Sequence, residues 1–209
     1  MSSCSAIASL ARVAAEPVEQ ALKVSYAAIV WTLVTGVVGI VVGVSAASTA
    51  LVGTSADVLA DMASSAVLVW RFRAELHGHP VGIRAEHIAE RVAASALTLV
   101  AVGIAVAAAL RLASGQAAEE STLTLVMAIA SILVLPLFAV AKYRLAAAVP
   151  SAALKMDGHI TLVGAGMALI TLVGLALTSA YGWAWADPTA ALVVAALALA
   201  VGARTLIAA

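Results

Sequence analysis

Asp57 and Asp61 stand four residues apart within Leu51 to Trp70, a stretch of Ala, Val, Leu, Met and Ser with no basic neighbour close in sequence. That spacing puts both carboxylates on one helix face. Each charged carboxylate at a bilayer centre costs about 2.5–3.5 kcal/mol on insertion scales, so a like-charged pair calls for a compensating charge. A bound cation is the simplest source of one. A third acid, Asp157, opens a second apolar stretch and is followed by His159 and Thr161. Thr161 shares the Asp157 face. His159 points about 200° away on a regular helix, and meets the same ion only if Gly158 distorts the first turn or the helix begins later. Three carboxylates with an imidazole or a hydroxyl as fourth donor suit a divalent first-row metal. The empty cluster is expected to keep at least one proton, which metal entry would release.

These residues need apolar elements to hold them, and the composition supplies them. The 209 residues are 64% hydrophobic and 11% charged, where soluble domains carry about 25% charged residues. The class is therefore an all-α integral membrane protein. A net charge of zero argues against a nucleic-acid partner, and the single cysteine, Cys4, excludes an internal disulfide framework. No nucleophile–base pair or phosphate loop suggests an enzyme.

Six apolar stretches are long enough to cross the hydrocarbon core: Tyr26 to Ala47, Leu51 to Trp70, Val92 to Leu110, Leu123 to Val140, Ser151 to Tyr181, and Pro188 to Leu206. The expected organisation is a cytoplasmic segment over 1–23 and a six-helix membrane domain over 24–209, with no soluble C-terminal domain. With six spans, Arg12, Lys23, Arg71, Arg73, Arg84, Arg91, Lys142, Arg144, Lys155 and Arg204 fall on one side and Arg111 on the other. The positive-inside rule then makes both termini cytoplasmic, with the plasma (inner) membrane as the expected location. Of the remaining acids, Glu75, Glu86 and Glu90 read as solvated, and Asp187 as an N-cap ahead of Pro188. Gly39 and Gly43 read as helix packing, and Pro136 as a tolerated membrane proline or a hinge. Tyr181, Trp183 and Trp185 read as an interface belt. His77, His79 and His87 match no compact zinc spacing; a second, exposed metal and solvated histidines are both open readings.

Several of these pieces together resemble the cation diffusion facilitators, also called the cation efflux family. Ala47-Ser48-Thr49-Ala50-Leu51-Val52 followed by Asp57 and Asp61 is similar to the family's second helix. His79-Pro80-Val81-Gly82-Ile83-Arg84-Ala85-Glu86 resembles its H-P-F-G-H-G-R-A-E loop, one residue short and with Ile83 in place of the second histidine. Tyr181 to Pro188 resembles the entry to its last helix. In length and plan the chain is similar to short members such as relatives of transmembrane protein 163. The resemblance implies a homodimeric six-helix bundle that exports Zn²⁺ or a related divalent ion in exchange for protons; the three carboxylates with a His or Thr would also suit Mn²⁺, Fe²⁺ or Co²⁺. It also implies a site with two ligands on helix two and two on helix five. Asp57 and Asp61 match the first pair. On helix five, Asp157 precedes the ligand positions, which then fall on Ile160 and Gly164, or it is itself a ligand together with His159 or Thr161. The expected metal set is Asp57, Asp61, Asp157 and His159. The competing expectation is a metal-binding or regulatory membrane subunit of the same fold that does not transport.

Overall fold

Six helices account for nearly all of the computed structural model, which describes residues 2–45, 49–77, 83–115 and 122–208. Within these, the side chains at 2–15, 39–40, 42–45, 49–60, 123–124 and 175 are outside the description, as are the side chain of Asp57 and all of His79. The helices are α1 (Ser2–Ser45), α2 (Thr49–Leu76), α3 (Ile83–Ser114), α4 (Thr122–Ala148), α5 (Ala152–Tyr181) and α6 (Ala186–Ala208). Five contain a stretch long and apolar enough to cross a membrane: Glu16–Val38, Ile83–Ser114, Leu125–Ala148, Ala152–Tyr181 and Ala186–Ala208. The described side chains of α2 begin only at Asp61.

Packing is inverted relative to a water-soluble bundle. Alanines fill the interior: Ala93, Ala94, Ala101, Ala195 and Ala198 are buried, whereas Leu99 and Leu137 are each 71% exposed. Small residues inside let backbones approach, and large aliphatics outside match lipid chains. Gly202 of α6 marks a close approach of α6 to α3. A Cβ there would lie 2.5 Å from Thr98 Oγ1 and 3.2 Å from the Ala94 carbonyl oxygen of α3.

The main helix pairs are α1 with α2, α3 with α6, and α4 with α5; α5 also touches α2, α3 and α6 and so lies at the centre. Its ends are sharply defined. Ser151 caps the start in extended backbone (φ −120°, ψ 109°), its hydroxyl accepting from the Leu154 amide, and Gly182 ends the helix at φ 69°.

Two polar ties hold the ends of the bundle. At the basic end, carrying Arg71, Arg73 and Lys155, Arg71 Nε lies 2.7 Å from Glu86 Oε2 and Arg71 Nη1 donates to Ser151 Oγ at 2.9 Å. Glu86 Oε1 accepts from Ser151 Oγ and from the Ala153 amide, at 3.0 and 3.1 Å. The expectation of a solvated Glu86 is thus corrected: its charge sits at the N-terminus of α5, where the helix dipole favours it. At the opposite end Arg111 donates to Asp187 Oδ2 at 2.9 Å. The cap expected of Asp187 is also corrected, because α6 begins at Ala186 and the carboxylate reaches across to α3. Gly174 of α5 makes room for it, since a Cβ there would meet Asp187 Cβ at 2.5 Å.

Candidate functional site

Between the two ties, four helices send polar side chains to one position in the interior. On α2, Asp61, Ser64 and Ser65 follow at i, i+3 and i+4 and so share one face. On α5, Asp157 and Thr161 share a face at i, i+4. Thr32 arrives from α1 and Lys142 from α4. Asp157, Lys142 and Ser65 are fully buried, and Thr32, Ser64 and Thr161 nearly so.

The Lys142 ammonium occupies the centre. It is 2.6 Å from Asp157 Oδ2 and donates to Thr161 Oγ1 at 2.7 Å. Thr161 passes its own proton to the Asp157 carbonyl oxygen at 3.0 Å, one turn back on α5. Ser65 Oγ donates to both oxygens of Asp157 at 3.3 Å. The Thr32 hydroxyl divides its one proton between Asp61 Oδ2 at 2.9 Å and the Ala28 carbonyl oxygen at 2.8 Å.

Asp61 Oδ1 is different. It lies 3.9 Å from Lys142 Nζ, too far for a hydrogen bond. It is buried and has no hydrogen-bond partner among the described residues. Carboxylates from two helices therefore flank one nitrogen-sized position, with one oxygen unused. Such an arrangement holds a cation and does not activate a nucleophile.

Comparison with known families gives this arrangement its context. The profile of the cation efflux transmembrane domain matches residues 25–209, nearly the whole chain. The chain belongs to the cation efflux family. It is a multi-pass membrane protein whose membership implies transport of a metal cation and not an enzymatic reaction. No curated protein matches it significantly.

Against that family background, the residues expected from sequence separate into three groups. Asp61 and Asp157 come together, with Thr161 beside them. Asp57 lies on α2 one turn before Asp61, and its side chain is outside the described residues. His159 stands apart from the cluster: its Nδ1 is 2.8 Å from the Lys155 carbonyl oxygen, and its ring meets Tyr143 edge-on at 5.4 Å. Among the described residues no three His, Cys, Asp or Glu side chains converge on one point. Of the loop histidines, His77 contacts the Arg73 carbonyl oxygen and His87 lies 3.9 Å from Glu90; His79 is outside the described residues.

Sequence reasoning missed Lys142, Thr32 and Ser65. A signal existed for Ser65, which repeats the Asp61 face one turn on. None in the local pattern singled out Thr32. Lys142 looked like the first charge beyond span four, yet the helix continues to Ala148 and the lysine points inward. An ammonium already stands among these oxygens, a positive charge that the expectation of a retained proton did not include.

Proposed function

We propose that the chain exports a divalent metal ion, zinc first, from the cytoplasm in exchange for protons, with Asp57, Asp61 and Asp157 as oxygen donors. The observation that carries this reading is the convergence of Asp61 and Asp157, from different helices, on one buried cation position. For the fourth donor we propose Thr161 over His159, since the Thr161 hydroxyl already touches that position. An oxygen-rich set also serves Mn²⁺, Fe²⁺ and Co²⁺; zinc rests on the family. The cytoplasmic placement of the basic end follows from the positive-inside rule, and a homodimer through helix faces is proposed by analogy with the family. Transport would proceed by tilting α1 and α2 against α5 so that the site meets each side in turn.

The test is the purified chain in liposomes containing a metal-sensitive dye, with an imposed pH gradient. Zinc should enter the lumen only with the gradient, and Asp61→Ala or Asp157→Ala should abolish entry. Absence of movement for every divalent ion would refute transport. One observation favours a second reading, a metal-binding or regulatory subunit that does not transport: Lys142 already neutralises Asp157 without a bound ion. Metal binding without movement would support that reading.

A further inference from the structure

We propose that Lys142 is a tethered cation that competes with the transported metal for the same oxygens, so that metal enters only as the ammonium is displaced. The inference rests on the metal-transport reading of Asp61 and Asp157 and adds a residue that neither the family profile nor the residue pattern assigns.

Position is the first support. Nζ lies 2.6 Å from Asp157 Oδ2 and 2.7 Å from Thr161 Oγ1, where an ion bound by those oxygens would have to sit. Metal–oxygen bonds of about 2.0–2.6 Å leave no room for a second cation at the same point. Repulsion between a divalent ion and an adjacent ammonium is also strong where water is excluded. The two cations are therefore alternatives.

The second support is the oxygen that Lys142 leaves unused. A lysine placed only to neutralise the acids would be expected to bond both. It bonds Asp157 and stops 3.9 Å short of Asp61 Oδ1, a buried oxygen with no other partner among the described residues. A buried carboxylate oxygen without a donor is costly, and a metal between the two helices would satisfy it.

The third support is mobility. A lysine is a compact charge on a flexible four-carbon stem, able to relocate its ammonium without backbone movement. Lys142 stands six residues before the last residue of α4, Ala148, about 9 Å from the basic end along the axis. Its stem can turn toward that end as the metal arrives.

Zinc binding to the purified full-length chain in detergent, measured at one fixed pH by competition with a chelating dye, tests this. Lys142→Met is expected to bind at least about tenfold more tightly than wild type, and saturating zinc should raise its melting temperature more than that of wild type. Lys142→Gln, which keeps a shorter donor, should show the same change in smaller measure. Wild-type binding with equal or weaker binding by folded Lys142→Met overturns the inference and leaves the metal site standing. No binding by wild type or either variant overturns both. If the variants fold only with zinc present, the free ion replaces the tethered one and the inference is supported. If they stay unfolded with zinc, Lys142 is structural and the inference fails.

Discussion

Glu86→Ala is expected to destabilise the bundle by about 3–5 kcal/mol, the range for removing one partner of a buried ion pair. The magnitude follows from what this carboxylate holds. Its Oε1 accepts from Ser151 Oγ at 3.0 Å and from the Ala153 amide at 3.1 Å, and a hydrogen bond to a charged group contributes about 1.5–3 kcal/mol. Its Oε2 lies 2.7 Å from Arg71, whose side chain is only 9% exposed. Glu75, at 3.9 Å and more exposed, is too distant to take over. The losses share partners and do not simply add, which keeps the total near the buried-pair range. Glu86→Gln preserves shape and one acceptor, so its cost should be about half as large. Unfolding by SDS in mixed micelles gives the free energies. In a cycle with Arg71→Met, the double variant should lose less than the two single variants together, by at least about 1.5 kcal/mol. If Glu86→Ala costs under about 1 kcal/mol, the pair behaves as a solvated surface bridge, and the account of how α5 is anchored is refuted. Additive single effects would refute it equally.

At the opposite end, Arg111→Ala should lower the melting temperature more than Asp187→Ala. The Asp187 side chain is 6% exposed and would be left buried without its partner, whereas the 31% exposed Arg111 can turn to water; equal effects would contradict this asymmetry. Gly202→Ala should cost about 1–3 kcal/mol by overpacking against α3, and Thr98→Ala in that background should restore part of the loss in the same unfolding assay. His159→Ala should transport zinc into liposomes at near the wild-type rate, while Thr161→Val should weaken zinc affinity about tenfold. The reverse order would return His159 to the site.

The helices and the shared face of Asp157 and Thr161 were legible because each rests on a periodic or local signal. Hydropathy over about 20 residues marks a span, and the i, i+4 spacing places Asp157 with Thr161 and turns His159 away. Lys142 was not legible because hydropathy ends span four at Val140, just before the charge. Hydropathy cannot distinguish a lysine that leaves the membrane from one that points into the bundle, and here the helix carries the charge inward. Glu86 was misread for another reason: its partners, Arg71 and Ser151, lie 15 and 65 positions away, and nothing local records that they meet. Helix pairing was hidden too. Short connections imply that α1 lies beside α2, but only packing such as Thr98 against Gly202 brings α3 to α6.

The distribution of polar contacts along the bundle also bears on how the site would open. α2 supplies Arg71 to the basic-end tie and Asp61 and Ser65 to the central cluster. The tie at the other end joins α3 to α6, with Gly174 of α5 packed against it. Among the described residues, separating α2 from α5 at the basic end breaks the Arg71–Ser151 hydrogen bond at 2.9 Å. At the Arg111 end no described ion pair joins those two helices. The central contact that spans them is Ser65 to Asp157 at 3.3 Å, longer and weaker than the lysine bond that Asp157 makes to α4. In this conformation α2 is tied to α5 at the basic end, and the lysine fastens Asp157 to α4 rather than to α2. A metal taking the ammonium's place would bind α2 through Asp61 and α5 through Asp157 together. Occupancy would thus exchange an α4–α5 contact for an α2–α5 contact, and through it the identity of the central cation can bias which helices move as a unit.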